Sequence, residues 1–170
     1  MKKLIIIVFS AIVLFNLSCL PDKCCRPPQP SSAMTAEKNG GPWATRYVKG
    51  TISDLDTITI SALNIEAMTD TIRKLDSLNI RIRYNGKGSY DLNADQVFYG
   101  TFTKNSVKSF KIDTSFNNQL NITNYQIFEN SGPGPNQIKI TGTFNIKFID
   151  PTNPVGISFL NGNFYTIMNQ

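Results

Sequence analysis

The chain has 170 residues, with 17 lysines and arginines against 12 acidic residues, three cysteines and no histidine. The missing histidine excludes Ser-His-Asp and Cys-His catalytic groups as well as histidine-metal sites. The net charge of +5 is small and its lysines and arginines are dispersed, unlike the concentrated basic patch of a nucleic-acid-binding protein, so no nucleic-acid partner is predicted.

Residues 1–18 have the pattern of a secretory signal peptide. Lys2 and Lys3 give a positive start, and residues 4–15 are apolar except for Ser10. A transmembrane helix needs about 20 apolar residues, so this run is too short to span a bilayer. We therefore predict that residues 1–18 are removed on export.

A cysteine follows the predicted signal peptide at once. The segment Phe15-Asn16-Leu17-Ser18-Cys19 resembles the lipobox of bacterial lipoproteins, although Asn16 stands where leucine is common. The resemblance implies that Cys19 is a lipid anchor carrying acyl chains such as palmitate, with the membrane as partner. Leu20 replaces the aspartate that retains some lipoproteins in the inner membrane, which favours the outer membrane. An ordinary signal peptide with an incidental cysteine is the alternative.

Residues 19–32 are predicted to form a tether. Prolines occupy three of the four positions from 27 to 30, which favours an extended, semi-rigid spacer. Cys24 and Cys25 are adjacent and would form a strained ring if paired; intermolecular pairing, acylation and free thiols stay open. No cysteine follows residue 25, so the folded domain is predicted to lack disulfides.

Residues 33–170 are predicted to form a single all-β domain. Polar and apolar residues alternate along many segments, which places one face on a core and the other in water. The predicted strands cover 44–48, 56–61, 79–84, 97–103, 106–112, 120–128, 137–141, 143–148 and 156–168. Turn residues between them indicate an antiparallel β-sandwich or barrel of about eight to ten strands.

Four apolar residues break the two-fold pattern. Their spacings of three, four and three predict one short helix, with a long loop as the alternative. These residues are Ile65, Met68, Ile72 and Leu75.

Several small motifs have a structural interpretation. Asn39-Gly40 suits a tight turn with positive φ, and Asn161-Gly162 is a second turn signal. Trp43 is predicted to cover one end of the core. Gly142, inside a strand, indicates a bulge or a close backbone approach.

The same motifs resemble a known family. The opening Asn39-Gly40-Gly41-Pro42-Trp43, the central Gly88-Ser89-Tyr90-Asp91-Leu92 and two closing segments are similar to a family of Bacteroidota lipoprotein domains of unknown function. The closing segments are Thr141-Gly142-Thr143-Phe144 and Asn161-Gly162-Asn163-Phe164. The resemblance implies an all-β cell-envelope domain with no established activity.

Carboxylates are the remaining candidates for catalysis, because a glycosidase needs only two. The pairs Asp54 with Asp56 and Asp91 with Asp95 sit beside turns, where aspartate is common for structural reasons. The segment from Asp91 begins like a calcium loop but has Gln96 and Phe102 where glycine and glutamate are required. We therefore predict no enzyme activity, no cofactor and no metal site.

Two functional hypotheses follow. The preferred one is a non-catalytic binding or interaction module that contacts a glycan or an envelope protein; the alternative is a β-barrel carrier of a small apolar ligand. Exposed aromatic residues would favour a glycan, but ordinary core packing is the commoner use of such residues. The sequence assigns none of these tyrosines to a face: Tyr84, Tyr90, Tyr99, Tyr125 and Tyr165.

Overall fold

The computed structural model of the protein describes residues 32–169 apart from 54–55, 68–72, 104–105, 130–131, 133 and 151. This part of the chain forms eleven strands and no helix, which confirms the predicted all-β antiparallel class with one strand more than the upper predicted number. The strands are β1 (Ala33–Lys38), β2 (Gly41–Thr45), β3 (Tyr47–Ile52), β4 (Thr57–Ala67), β5 (Arg73–Arg83), β6 (Gly88–Asp91), β7 (Val97–Thr103), β8 (Ser106–Ile112), β9 (Gln119–Phe128), β10 (Gln137–Asp150) and β11 (Asn153–Asn169).

All eleven strands belong to one antiparallel sheet that is not closed. Its order is β2-β1-β11-β10-β8-β7-β5-β4-β3, with β9 and then β6 paired beside β10. Strand β10 pairs with β9 along residues 137–145 and with β8 at residues 148–149. We call β2, β1, β11, β10, β9 and β6 the first half-sheet, and β8, β7, β5, β4 and β3 the second half-sheet.

The two half-sheets face each other across an apolar core. Tyr99 of β7 packs against Phe159 of β11 with ring centroids 5.1 Å apart, and against Phe148 of β10 at 5.3 Å. Trp43, only 3% exposed, meets Phe159 edge-on at 5.2 Å. Trp43, which the sequence predicts to cover one end of the core, is therefore a buried member of the core. Because the sheet is open and its halves pack face to face, the arrangement is nearer a sandwich than a barrel.

Two glycine–phenylalanine pairs join β10 to β11 in the core. Gly142 lies opposite Phe164, and Phe144 lies opposite Gly162. A Cβ atom on Gly142 would clash with the carbonyl oxygen of Asn121 and lie 2.6 Å from the Phe164 ring; one on Gly162 would lie 2.5 Å from the Phe144 ring. Each glycine therefore leaves the space that the ring on the neighbouring strand fills. The close approach predicted at Gly142 is confirmed.

The helix prediction is wrong for the residues that the structure describes. Ile65 lies in β4 and Leu75 lies in β5, directly opposite each other, while Met68 and Ile72 lie outside the described residues. Pairing along the whole of β4 and β5 determines the conformation, and it overrides the local spacing of apolar residues.

The two turn signals have different outcomes. Asn39 and Gly40, with φ of 51° and 79°, connect β1 to β2 as predicted. Asn161 also has a positive φ, 51°, but it lies within β11, where the pairing with β10 shifts register. The turn predicted at Asn161 is therefore wrong, because the residue forms a β-bulge inside a long strand.

A buried ion pair links the half-sheets. Asp76 lies on the inward-facing side of β5 and is 0% exposed. Lys38 of β1 donates a hydrogen bond to its Oδ2 atom. The Lys38 side chain is 17% exposed, and its Nζ atom lies 5.4 Å from the centroid of the Tyr99 ring. Removing Lys38 would therefore leave a carboxylate without a counter-ion in an apolar environment.

We expect Gly142→Ala to lower the free energy of unfolding by about 1–3 kcal/mol, because the new methyl group overfills the space beside Phe164. Chemical denaturation measures the change. Gly41→Ala is the control: its Cβ would meet nothing closer than 3.6 Å. Equal stability of the two variants would contradict the proposed packing.

We expect Lys38→Met to destabilise the protein by about 3–5 kcal/mol, because the fully buried Asp76 loses its cation. The double variant Lys38→Met/Asp76→Leu should regain most of that loss, since no charge is then buried. Thermal and chemical unfolding of the single and double variants form a double-mutant cycle. Additive effects of the two substitutions would show that the pair is not coupled.

Candidate functional site

An open groove of about 450 Å³ lies on the outer face of the second half-sheet, along β3, β4 and β5. We call it the Tyr47 groove. It is lined by Arg46, Tyr47, Val48, Lys49, Ser61, Ala62, Leu63 and Ser77.

Strand register explains the shape of the groove. Tyr47 lies opposite Leu63, and Leu63 lies opposite Ser77 on the next strand. Lys49 lies opposite Ser61 in the neighbouring row. Serine side chains are short, so they form a low floor beside the longer side chains of Tyr47 and Lys49. The floor carries hydroxyl groups and one apolar side chain.

The corner between β2 and β3 positions Tyr47, the aromatic residue that lines the groove. Thr45, the last residue of β2, is buried and its hydroxyl donates to the carbonyl oxygen of Leu63. The same Oγ1 atom accepts a hydrogen bond from the backbone N–H of Tyr47 at 3.0 Å. These two bonds fix the chain on both sides of Arg46. The Tyr47 side chain consequently projects outward and is 64% exposed.

The cations of the groove are free to meet a ligand. Two lysines elsewhere in the fold have carboxylate partners: Lys108 donates to Asp150 at 2.9 Å, and Lys147 lies 3.3 Å from Asp113. Hydrogen bonds from the Thr152 hydroxyl and from Lys108 lower the pKa of Asp150 to about 2. By contrast, Arg46 and Lys49 form no ion pair with any described residue.

The lining residues offer several groups that can contact a ligand. They include an exposed aromatic ring, two cations and two hydroxyl groups, but no carboxylate and no thiol. A sugar ring can pack on a tyrosine face, hydroxyl groups exchange hydrogen bonds with sugar hydroxyls, and a guanidinium can hold an anionic group with two parallel bonds. The groove therefore matches a saccharide that carries negative charge.

The described carboxylates that the sequence offered, those of Asp56, Asp91 and Asp95, lie in or beside connections between strands. Asp54 lies outside the described residues, and Asp56 follows with a φ of 54°. Asp91 ends β6 and accepts a hydrogen bond from Gln119 Nε2 at 3.2 Å. Asp95 lies in the next connection, where its backbone N–H donates to a neighbouring side chain. In the residues that the structure describes, no three or more Cys, Asp or Glu side chains are grouped to hold a metal ion.

The tyrosines that the sequence left unassigned are mostly packed. Tyr99 is fully buried, and Tyr84 stacks on Tyr125 with ring centroids 4.6 Å apart against the core. Burial raises the pKa of the Tyr84, Tyr125 and Tyr165 hydroxyls. The Tyr90 hydroxyl accepts from the backbone N–H of Asn85 at 3.1 Å. These contacts give a structural role to the four rings that pack in or against the core, those of Tyr84, Tyr90, Tyr99 and Tyr125.

Sequence reasoning missed Tyr47, the tyrosine that is exposed. Residues 44–48 were predicted as one strand, whereas the structure divides them between β2 and β3 at Arg46. The sequence did contain a signal for a binding site here, because two cations, Arg46 and Lys49, lie on either side of Tyr47 in the chain. The corner itself depends on Thr45 reaching the distant Leu63, which no local pattern reveals.

The predicted anchor and tether lie outside the described residues. Cys19, Cys24 and Cys25 all precede residue 32, where the described part of the chain begins. Among the residues described, no helix has the length and hydropathy that crossing a bilayer requires.

Comparison with known proteins identifies a family. A family model described as "Domain of unknown function (DUF6252)" matches residues 30–168, which include nearly every residue that the structure describes. Searches among curated proteins and among solved structures found no match. The chain therefore belongs to the DUF6252 family of domains of unknown function.

Proposed function

We propose that this protein is a non-catalytic binding module, held on the cell envelope by lipid, whose Tyr47 groove binds an acidic saccharide. The observation that carries the proposal is the exposed Tyr47 ring between Arg46 and Lys49, above a floor of serine hydroxyls. An aromatic face supplies contact area at low conformational cost, and the cations select negative charge.

The proposed location of the protein in the cell is inferred from the sequence. The segment ending in Ser18-Cys19 resembles a bacterial lipobox, and the proline-rich residues 19–32 would hold the folded domain away from the bilayer. The membrane is then one partner, through acyl chains on Cys19. Leu20 favours the outer membrane, and the resemblance of the motifs favours a protein from Bacteroidota.

The apolar-ligand carrier has weaker support. A carrier needs space between inward-facing side chains, and here large inward residues pack on one another. Tyr99, Phe148 and Phe159 are all fully buried, with ring centroids between 5.1 and 6.1 Å apart. The Tyr47 groove lies outside this core, so recognition by surface contact explains the described residues better.

We expect Tyr47→Ala to weaken binding of an acidic oligosaccharide, such as a uronic acid oligomer, by about tenfold, a loss of about 1.4 kcal/mol. Arg46→Gln should weaken it similarly and reduce its dependence on salt. Calorimetry on the full chain in detergent measures both. Phe128→Ala is the control, because Phe128 is also exposed but lies in the first half-sheet. Unchanged binding by the Tyr47 variant would contradict the proposal.

We expect Cys19→Ser to abolish labelling by a palmitate analogue and to release the protein from the membrane fraction, because the thiol is the predicted attachment point. Labelling and fractionation in a lipoprotein-producing bacterium provide the measurement. The control variant Cys24→Ser/Cys25→Ser should stay labelled and membrane-bound. Continued labelling of the Cys19 variant would overturn the proposed anchor.

A further inference from the structure

The outer face of the first half-sheet carries a continuous row of uncharged polar side chains. Ser89 lies opposite Asn121, Asn121 opposite Thr143, Thr143 opposite Asn163, and Asn163 opposite Thr35. We call these five residues the amide–hydroxyl row. It crosses β6, β9, β10, β11 and β1. Four of its members are exposed and Asn121 is half-buried, while the residues that alternate with them face the core.

Most side-chain polar atoms of the row form no hydrogen bond within the described part of the chain. The side chains of Thr35, Ser89, Asn121 and Thr143 form no hydrogen bond with any described residue. Asn163 donates one bond, from Nδ2 to the carbonyl oxygen of Asn161 at 3.0 Å, which leaves its Oδ1 atom available. Amide and hydroxyl groups both donate and accept, as sugar hydroxyls do.

Uncharged residues extend on both sides of the row. Thr141 pairs with Asn124 and Tyr165 on one side, and Asn145 pairs with Gln119 on the other. The outer face of the second half-sheet differs, because its exposed positions include these cations: Lys49, Arg81, Arg83 and Lys111. The five members of the row are uncharged, but charged residues lie farther along the same strands: Glu37, Asp91, Lys139 and Lys147. The uncharged area is therefore limited to the row and the middle of the first half-sheet.

The core beneath the row holds it rigid. Thr143 stands between Gly142 and Phe144, and Asn163 stands between Gly162 and Phe164, so the two central members sit directly over the glycine–phenylalanine pairs. Neighbouring strands are about 4.8 Å apart, which spaces polar groups at intervals comparable with the length of one sugar residue. A preorganised array of this kind binds without a large ordering cost.

We propose that the amide–hydroxyl row is a second binding surface, which holds an extended neutral polysaccharide lying across the strands. Hydrogen bonds from the row to successive sugar hydroxyls would provide the contacts, and the five uncharged side chains supply no counter-ion for an acidic chain. The surface is separate from the Tyr47 groove, since the outer faces of the two half-sheets point away from each other.

Affinity electrophoresis of the full chain in detergent, through gels containing soluble neutral glucans or mannans, tests this proposal. We expect at least one polysaccharide of the panel to retard the protein. Asn121→Ala/Asn163→Ala should weaken that retardation by about tenfold, because two amides are lost. Thr143→Lys should also weaken it by placing a long charged side chain mid-row. Asn79→Ala, an amide on the outer face of the second half-sheet, is the control and should bind normally.

Two outcomes would overturn the proposal: no retardation by any member of the panel, or equal loss in the Asn79 control. The Tyr47→Ala variant separates the two surfaces. It should bind the neutral polysaccharide normally; if it alone loses binding, the neutral chain occupies the groove and the row has no role. Failure of acidic saccharides to bind the groove would leave the result for the row unaffected.

Discussion

Two phenylalanine rings packed over two glycines hold β10 and β11 together, and much of the molecule depends on this contact. Gly142 and Gly162 lack the side chain that would displace the rings of Phe164 and Phe144. Strand β10 also pairs with β9 and β8, so it is where the two half-sheets join. The closing segments singled out in the sequence, Thr141-Gly142-Thr143-Phe144 and Asn161-Gly162-Asn163-Phe164, contain the residues that make this contact, which gives them a physical reason.

Because the interior between the half-sheets is filled, the surfaces proposed for binding lie on the outer faces of the sheet. Inward-facing aromatic rings occupy the space between the half-sheets, and the Lys38–Asp76 ion pair closes part of it with buried charge. The outward positions are free of these packing demands, and their chemistry differs between the halves. One outer face offers a tyrosine and cations, whereas the middle of the other carries a row of uncharged amide and hydroxyl side chains. On the two proposals made above, these faces contact two different polymers.

Local pattern predicts much of this fold because alternation is a local property. The strands at 97–103 and 106–112 were predicted with the bounds that β7 and β8 have, and Asn39-Gly40 forms its turn. Strand β6 was missed because it has only four residues, and β1 because alanine, glutamate and lysine, which make up most of it, are depleted in strands. The candidate surfaces could not be predicted, since the row draws on residues from 35 to 163 and the groove on a corner fixed by Thr45 and Leu63. Cross-strand register is non-local, and one-residue shifts would move every side chain to the other face.

Residue-resolved amide hydrogen exchange of the full chain tests the central role of the glycine–phenylalanine pairs most directly. Amides in the middle of β10 and β11, residues 142–146 and 162–166, should exchange most slowly, with opening free energies near that of global unfolding. The edge strands β2 and β3 should open first. If the amides of β10 and β11 instead exchange faster than those of β4 and β5, the second half-sheet is the more stable one. The glycine–phenylalanine pairs are then not the contact that holds the structure together.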